Sequence, residues 1–201
     1  LKKKPKAFVQ VGSCAEYGGS KSPQKESQNC KTKSKYGLAK LNSTKYLINL
    51  FKKKKFPSVV IRLYQAYGPR QDFNRLIPIV IKACRRNEKF NCSDGNQLRD
   101  FTYIDDIIDA IIKSLKKKKA QGNIINIGSG KPKKIKNIIS FLKKINKGGH
   151  PQYGKIKLRK DETLVIYPSI KKARQLIGWK PKTSFQTGIR KTINFYNGQK
   201  L

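Results

Sequence analysis

The sequence predicts an α/β fold around a parallel sheet, and three consecutive segments carry that prediction. Residues 8–11 form a short run rich in strand-forming residues that stops at Gly12. Residues 34–54 place apolar side chains mostly at helical spacing, with a lysine-rich end and Pro57 beyond it. Residues 58–64 form a second, β-branched run that stops at the turn residues 67–69. A strand, a helix and a strand in that order form a right-handed crossover between parallel strands.

The remaining elements are predicted from the same periodicities. One further strand is expected over residues 123–127. Amphipathic patterns predict five more helices, over residues 76–86, 105–117, 134–145, 170–176 and 186–196. The chain contains no methionine and begins almost directly with a buried type of strand, so we expect it to be a fragment.

The composition narrows the classes of function. The net charge of +36 favours some affinity for polyanions, but lysines in predicted helix-end runs account for much of it, and only 9 of the 47 basic residues are arginine. No RNA-binding, recognition-helix or zinc-finger pattern is present, so we expect no specific nucleic-acid recognition. Four cysteines without metal-type spacing and a single histidine indicate reduced cytoplasmic thiols and no metal site. No stretch approaches the ~18 apolar residues of a membrane helix, so we expect a soluble protein.

Three polar side chains suggest a catalytic site. Tyr36 and Lys40 are four residues apart on the predicted helix and therefore share one face. A nearby ammonium favours the phenolate over the phenol, which suits a proton-transfer group. Ser13 comes directly after the first strand, at the carboxyl end where open α/β sheets place their ligands. The three groups could act on one site.

The motifs around these residues resemble a known family. The segments 12–18 (GSCAEYG) and 36–40 (YGLAK) are similar to the Ser, Tyr and Lys arrangement of the extended short-chain dehydrogenase/reductase family, the NAD-dependent epimerase/dehydratase group. Further similar segments occur in order along nearly the whole chain, at residues 62–69, 74–78, 98–106, 126–130 and 178–181.

The resemblance implies a domain organisation and a cofactor. Residues 1–70 would be part of a Rossmann-like dinucleotide-binding domain that carries the catalytic residues. Residues 71–201 would be mainly a smaller α/β substrate-binding lobe, with some segments returning to the first domain. The cofactor would be NAD or NADP, which the sequence cannot distinguish because the Gly-rich fingerprint is absent. We expect the fragment alone to be inactive and the complete protein to be a homodimer.

The resemblance also implies roles for individual residues. Ser13 would polarise the sugar oxygen, Tyr36 would exchange the proton, and Lys40 would bind the nicotinamide ribose. The segment beside the nicotinamide would contribute Leu63 and Tyr64. The substrate, a nucleotide-diphosphate sugar, would contact Gln65, Asn74, Arg75, Arg99 and Arg159, of which the arginines suit phosphate oxygens.

The two residues directly after the catalytic hydroxyl narrow the choice of reaction. Related 4,6-dehydratases have acidic residues there, whereas this chain has Cys14 and Ala15. We therefore favour an epimerase, with a 4-keto-sugar reductase next. Glu16 could be a substrate-side group or a structural carboxylate. A different class of function, a basic polyanion-binding module on an inactive scaffold, stays open at this stage.

Overall fold

The computed structural model describes residues 5–159 and 161–198. The strands are β1 (Phe8–Ser13), β2 (Ser58–Leu63), β3 (Gln65–Tyr67), β4 (Lys89–Asn91), β5 (Leu98–Arg99), β6 (Phe101–Tyr103), β7 (Ile124–Ile127), β8 (Lys133–Lys134), β9 (His150–Gln152) and β10 (Val165–Ile166). The helices are α1 (Lys35–Lys54), α2 (Leu76–Arg85), α3 (Ile104–Lys116), α4 (Ile135–Asn146), α5 (Lys171–Ile177) and α6 (Phe185–Asn197). Every strand and helix expected from sequence is present.

A three-stranded parallel sheet in the order β1-β2-β7 forms the centre of the fold. Ser13 at the end of β1 lies beside Leu63 at the end of β2, which in turn lies beside Ile127 of β7. The central strand β2 is buried along nearly its whole length, as a run of β-branched residues in a parallel sheet requires. The predicted α/β class with a parallel, Rossmann-like sheet is confirmed.

Helix α1 makes the crossover from β1 to β2. Its first turn is capped by Ser34, whose Oγ accepts a hydrogen bond from the backbone N–H of Gly37 at 3.0 Å. The helix ends at Lys54 after three lysines in its last turn, and Lys55, which follows it, has a left-handed backbone conformation (φ 50°). The boundaries expected from sequence are correct to within one residue.

The second half of the chain adds short strands and two hydrophobic cores. A small mixed sheet has the order β10-β5-β8, and two parallel pairs join β3 to β6 and β4 to β9. One core lies among α2, α4 and α6 around Tyr67 and Tyr103. The other packs α3 and α5 with Trp179 against β2 and β7. The strands of two or three residues were not predicted, because they are too short to show an alternating pattern.

The described part of the chain has neither a membrane-spanning helix nor a cluster of metal-binding side chains. Its helices include none with the length and apolar character needed to cross a bilayer. Residues 5–159 and 161–198 contain no group of three or more His, Cys, Asp and Glu side chains placed to hold a metal ion.

Candidate active site

Ser13 is the last residue of β1 and begins a tight 3₁₀ turn, Cys14–Tyr17. Its Oγ accepts a hydrogen bond from the backbone N–H of Ala15 at 3.2 Å. The oxygen thereby caps the turn, and the hydroxyl also carries one hydrogen that it can donate. The side chain is half-buried, so a ligand at the strand end can reach it.

Tyr36 and Lys40 lie in the first two turns of α1, and the structure brings them together. The Nζ of Lys40 lies 5.9 Å from the centroid of the Tyr36 ring. It also donates a hydrogen bond to the carbonyl oxygen of Val11 at 2.9 Å, which ties the helix to β1 two residues before Ser13. The Tyr36 side chain is 58% exposed.

The start of α1 lies directly against the turn that begins at Ser13, and Gly37 makes this approach possible. A Cβ atom at Gly37 would lie only 2.6 Å from the carbonyl oxygen of Ala15 and 2.1 Å from Thr32 Oγ1. A larger residue would therefore push the helix away from the strand end. The backbone places the Ser13 turn and the Tyr36 turn of the helix side by side.

The end of β2 holds the residues expected beside the nicotinamide. Leu63 is half-buried. Tyr64 is buried, its hydroxyl donates to the side-chain oxygen of Gln24 at 2.8 Å, and burial raises its pKa well above the usual range. Tyr64 therefore stays protonated and cannot serve as a proton acceptor. Gln65 is exposed, and its backbone N–H donates to the carbonyl oxygen of Asp100 at 3.0 Å.

A cavity of about 260 Å³ contains three of the five residues expected to contact the substrate, namely Gln65, Arg75 and Arg99. The Arg99 guanidinium forms an ion pair with Glu162. Its Nη1 also donates to the carbonyl oxygens of residues 98 and 164, at 3.0 and 3.1 Å. Backbone carbonyls thus hold the guanidinium in place, and the carboxylate balances its charge.

The other two residues expected to contact the substrate do not line this cavity. Asn74 is exposed and forms hydrogen bonds with Asp72, through its backbone N–H (3.1 Å) and its side-chain Nδ2 (3.2 Å). Arg159 is exposed. Their roles toward a substrate stay predictions.

Cys14 directly follows Ser13 at the end of β1. Burial raises the pKa of its thiol to about 11, while a hydrogen bond with the Ser13 side chain and, less strongly, the charge of Arg99 act in the opposite direction. The thiol is neutral at physiological pH and carries no charge into the site.

Comparison with known proteins identifies the family. The sequence model of the NAD dependent epimerase/dehydratase family matches residues 1–128, which is more than half of the chain. The chain belongs to this family. The match includes β1, α1 and β2 with the Ser13, Tyr36 and Lys40 positions, and the resemblance drawn from the motifs is confirmed.

Curated members of the epimerase/dehydratase family show which reactions occur among its relatives. The UDP-glucuronate 4-epimerase of Thermodesulfobacterium geofontis is 36% identical over 139 residues, covering 68% of this chain and 42% of that protein. The CDP-abequose synthase of Salmonella muenchen is 32% identical over 136 residues, covering 67% of this chain and 46% of that protein. The human dTDP-D-glucose 4,6-dehydratase is 29% identical over 197 residues, covering 94% of this chain and 56% of that protein. The chain spans about half the length of these curated relatives.

Solved structures of the family have the same fold. The UDP-glucuronic acid 4-epimerase of Bacillus cereus, in complex with UDP-glucuronic acid and NAD, superposes with a TM-score of 0.88 at 29% identity. That match covers 95% of this chain and 61% of the other. The UDP-glucose 4-epimerase of Thermotoga maritima gives a TM-score of 0.89 at 26% identity, covering 96% and 63% of the two chains.

Two acidic residues have roles at the site that sequence reasoning did not assign. Glu16 is fully buried and forms an ion pair with Arg62 at 2.8 Å, so it is a structural carboxylate rather than one that faces substrate. Glu162 was missed altogether. The sequence has only 11 acidic residues, and Glu162 comes three residues after Arg159. That position near a candidate substrate arginine was the signal that could have identified Glu162.

Proposed function

We propose that the protein carrying this chain is an NAD(P)-dependent nucleotide-sugar epimerase that transfers a hydride and a proton at a sugar carbinol. The arrangement of Tyr36, Lys40 and the end of β1 supports this best. Lys40 approaches the Tyr36 ring and is bonded to Val11, two residues from Ser13. Phenol, ammonium and hydroxyl are thus held on neighbouring parts of one strand-turn-helix unit.

The chain's own groups suffice for the proton chemistry. Ser13 would donate its hydroxyl hydrogen to the sugar oxygen, since its own oxygen already accepts from the turn. Tyr36 would take the proton from the carbinol and return it, and the ammonium of Lys40 would stabilise the phenolate. The pattern is that of a general acid/base step, which is worth roughly 10²–10⁴ in rate.

The donor set on α1 also fits a dinucleotide. The bond to Val11 uses one of the three N–H donors of Lys40, which leaves donors for ribose hydroxyls. Tyr36 is open to a ligand from the same side of the helix. When bound, the nicotinamide would supply the acceptor and donor of hydride. Solved relatives contain NAD, and NAD or NADP is accordingly proposed here.

The substrate is proposed to be a nucleotide-diphosphate sugar whose phosphates bind in the cavity of Arg75 and Arg99. The carboxylate of Glu162 lies against Arg99 where an anionic ligand oxygen would bind. Substrate binding would require Arg99 to exchange Glu162 for phosphate, or to hold both. The Bacillus cereus and Thermotoga maritima relatives contain UDP-glucuronic acid and UDP-glucose, which are ligands of this class.

An epimerase is favoured over the other reactions of the family because of Cys14 and Ala15. A thiol whose pKa burial raises to about 11, and a methyl group, cannot do carboxylate acid/base chemistry at neighbouring carbons. A 4-keto-sugar reductase is the second candidate, since it needs the same three side chains. The two reactions differ in cofactor balance, because only the reductase consumes one NAD(P)H for each sugar converted.

The test uses the full-length protein with Tyr36→Phe. Turnover of UDP-sugars, measured by NMR of the sugar protons, should fall by at least ~10²-fold with the fold intact by circular dichroism. Tyr46→Phe is the matched control, because Tyr46 lies on the same helix with a 65% exposed side chain and should keep normal turnover. Equal rates for the two variants would refute the assignment. Absorbance at 340 nm, which reports NAD(P)H consumption, separates reductase from epimerase.

The organisation of the whole protein stays a prediction. The division near residue 70 and a homodimeric complete enzyme belong to the proposal. Limited proteolysis and light scattering of the full-length protein are the direct measurements.

A further inference from the structure

The buried carboxylate of Glu16 forms hydrogen bonds in three directions. Its Oε1 accepts from the backbone N–H of Ser13 at 3.0 Å. Its Oε2 accepts from Arg62 Nε at 2.8 Å and from Thr44 Oγ1 at 2.9 Å, and the second guanidinium nitrogen, Nη2, is also 2.8 Å away. The side chain has no solvent exposure, so each of these partners replaces water.

These partners belong to the three elements that build the proposed site. Ser13 ends β1, and Arg62 is on β2. Thr44 is on α1 four residues after Lys40, and therefore on the same helical face. One carboxylate thus fixes the strand end that carries the Ser13 hydroxyl relative to the helix that carries Tyr36 and Lys40.

The residues around the Glu16 carboxylate pack closely against it and its partner Arg62. A Cβ atom at Gly12 would lie 2.5 Å from Glu16 Oε1, so the absence of a side chain there makes room for the oxygen. On the other side, the Arg62 guanidinium stacks 4.4 Å from the centroid of the Tyr17 ring. The Tyr17 hydroxyl donates to Asn126 Oδ1 at 2.8 Å, which extends the network to β7.

We infer that Glu16 is a positioning residue for the reaction, which acts by holding the Ser13 hydroxyl and the Tyr36–Lys40 helix in register. This rests on the proposed function. A buried ion pair adds little stability compared with apolar side chains of the same shape. The role of the Glu16 network is therefore to fix the relative positions of β1, β2 and α1. A displacement of about 1 Å in a catalytic group can cost ~10²-fold in rate.

The experiment compares Glu16→Gln with Asp106→Asn in the full-length protein. Asp106 is a matched control because it is also buried and accepts backbone N–H groups, those of residues 182 and 183, at 3.0 Å each. Both variants should lose stability. Only Glu16→Gln should lower kcat, by ~10- to 100-fold, with KM changed less than ~3-fold. Thr44→Val, which removes one of the bonds to Glu16, should lower kcat by a smaller factor.

A double-mutant cycle with Ser13→Ala distinguishes a positioning role of Glu16 from a general loss of fold stability. Because the register matters most while both groups act, Glu16→Gln should lower kcat by a smaller factor when Ser13 is already alanine than in the unaltered protein. Full additivity of the two losses, or equal kcat losses for Glu16→Gln and Asp106→Asn, would overturn the inference while leaving the proposed function standing.

A second readout needs no turnover. Exchange of the Ser13 amide hydrogen, measured by NMR, should become at least ~10-fold faster in Glu16→Gln relative to the amides of β7. Unchanged exchange would overturn the positioning role even in an inactive protein. If Ser13→Ala and Tyr36→Phe keep full turnover instead, the proposed function fails, and the amide exchange alone then decides whether Glu16 fixes the strand end.

Discussion

Replacing Arg62 with leucine should destabilise the chain far more than the loss of an ordinary ion pair. Arg62 is 2% exposed and is the cation that balances the fully buried Glu16. With leucine at this position, the Glu16 carboxylate keeps the N–H of Ser13 and the hydroxyl of Thr44 as its donors among the described residues. Breaking a buried pair by removing one partner costs ~3–5 kcal/mol, because the remaining charge is uncompensated.

That cost is a large fraction of the stability of a typical domain, about 5–15 kcal/mol. With a urea m-value of about 2 kcal/mol/M for a chain of this size, the midpoint should fall by ~1.5–2.5 M. Urea unfolding monitored by far-UV circular dichroism measures the shift. Added salt should change it little, because a buried pair is poorly screened.

Two further variants test the reasoning behind Arg62→Leu. Arg86→Leu is the surface control, since the Arg86–Glu88 pair is 3.7 Å long with side chains 44% and 53% exposed, and should cost less than ~0.5 kcal/mol. The double variant Glu16→Gln with Arg62→Leu should recover part of the loss, because no charge remains buried. A loss below ~1 kcal/mol for Arg62→Leu, or no recovery in the double variant, would refute the argument.

Three other predictions concern packing, reactivity and binding. Gly188→Ala should cost ~1–3 kcal/mol in urea unfolding, because its Cβ would lie 2.2 Å from the Tyr67 hydroxyl; a neutral result would mean that α6 can shift. The Cys14 thiol, with its pKa raised to about 11 by burial, should react slowly with a disulfide reagent at pH 8 and ~10-fold faster per pH unit above it; rapid labelling at pH 8 would contradict this burial. Arg99→Lys in the full-length protein should weaken UDP-sugar binding by at least ~10-fold in calorimetry, because the ammonium cannot form two parallel bonds to phosphate; an unchanged Kd would exclude Arg99 from the phosphate site.

The sequence predicted the framework of the fold because that framework is encoded locally. The strand-forming runs of β1 and β2, and the apolar periodicity and lysine-rich end of α1, each lie within a few neighbouring residues. The order of these elements then required a parallel crossover. The same locality explains why Tyr36 and Lys40 could be recognised as a pair from a four-residue spacing. Strands of two or three residues, such as β5 and β8, lack any such local signal.

Only the tertiary structure decided which charged groups are buried together. Glu16 and Arg62 are 46 residues apart, and Arg99 and Glu162 are 63 apart. No periodicity links such partners, because the cost of burying a charge depends on what lies opposite it in space. For this reason the sequence left Glu16 open between substrate contact and structural support, and the packing of α1 against β1 and β2 resolved it.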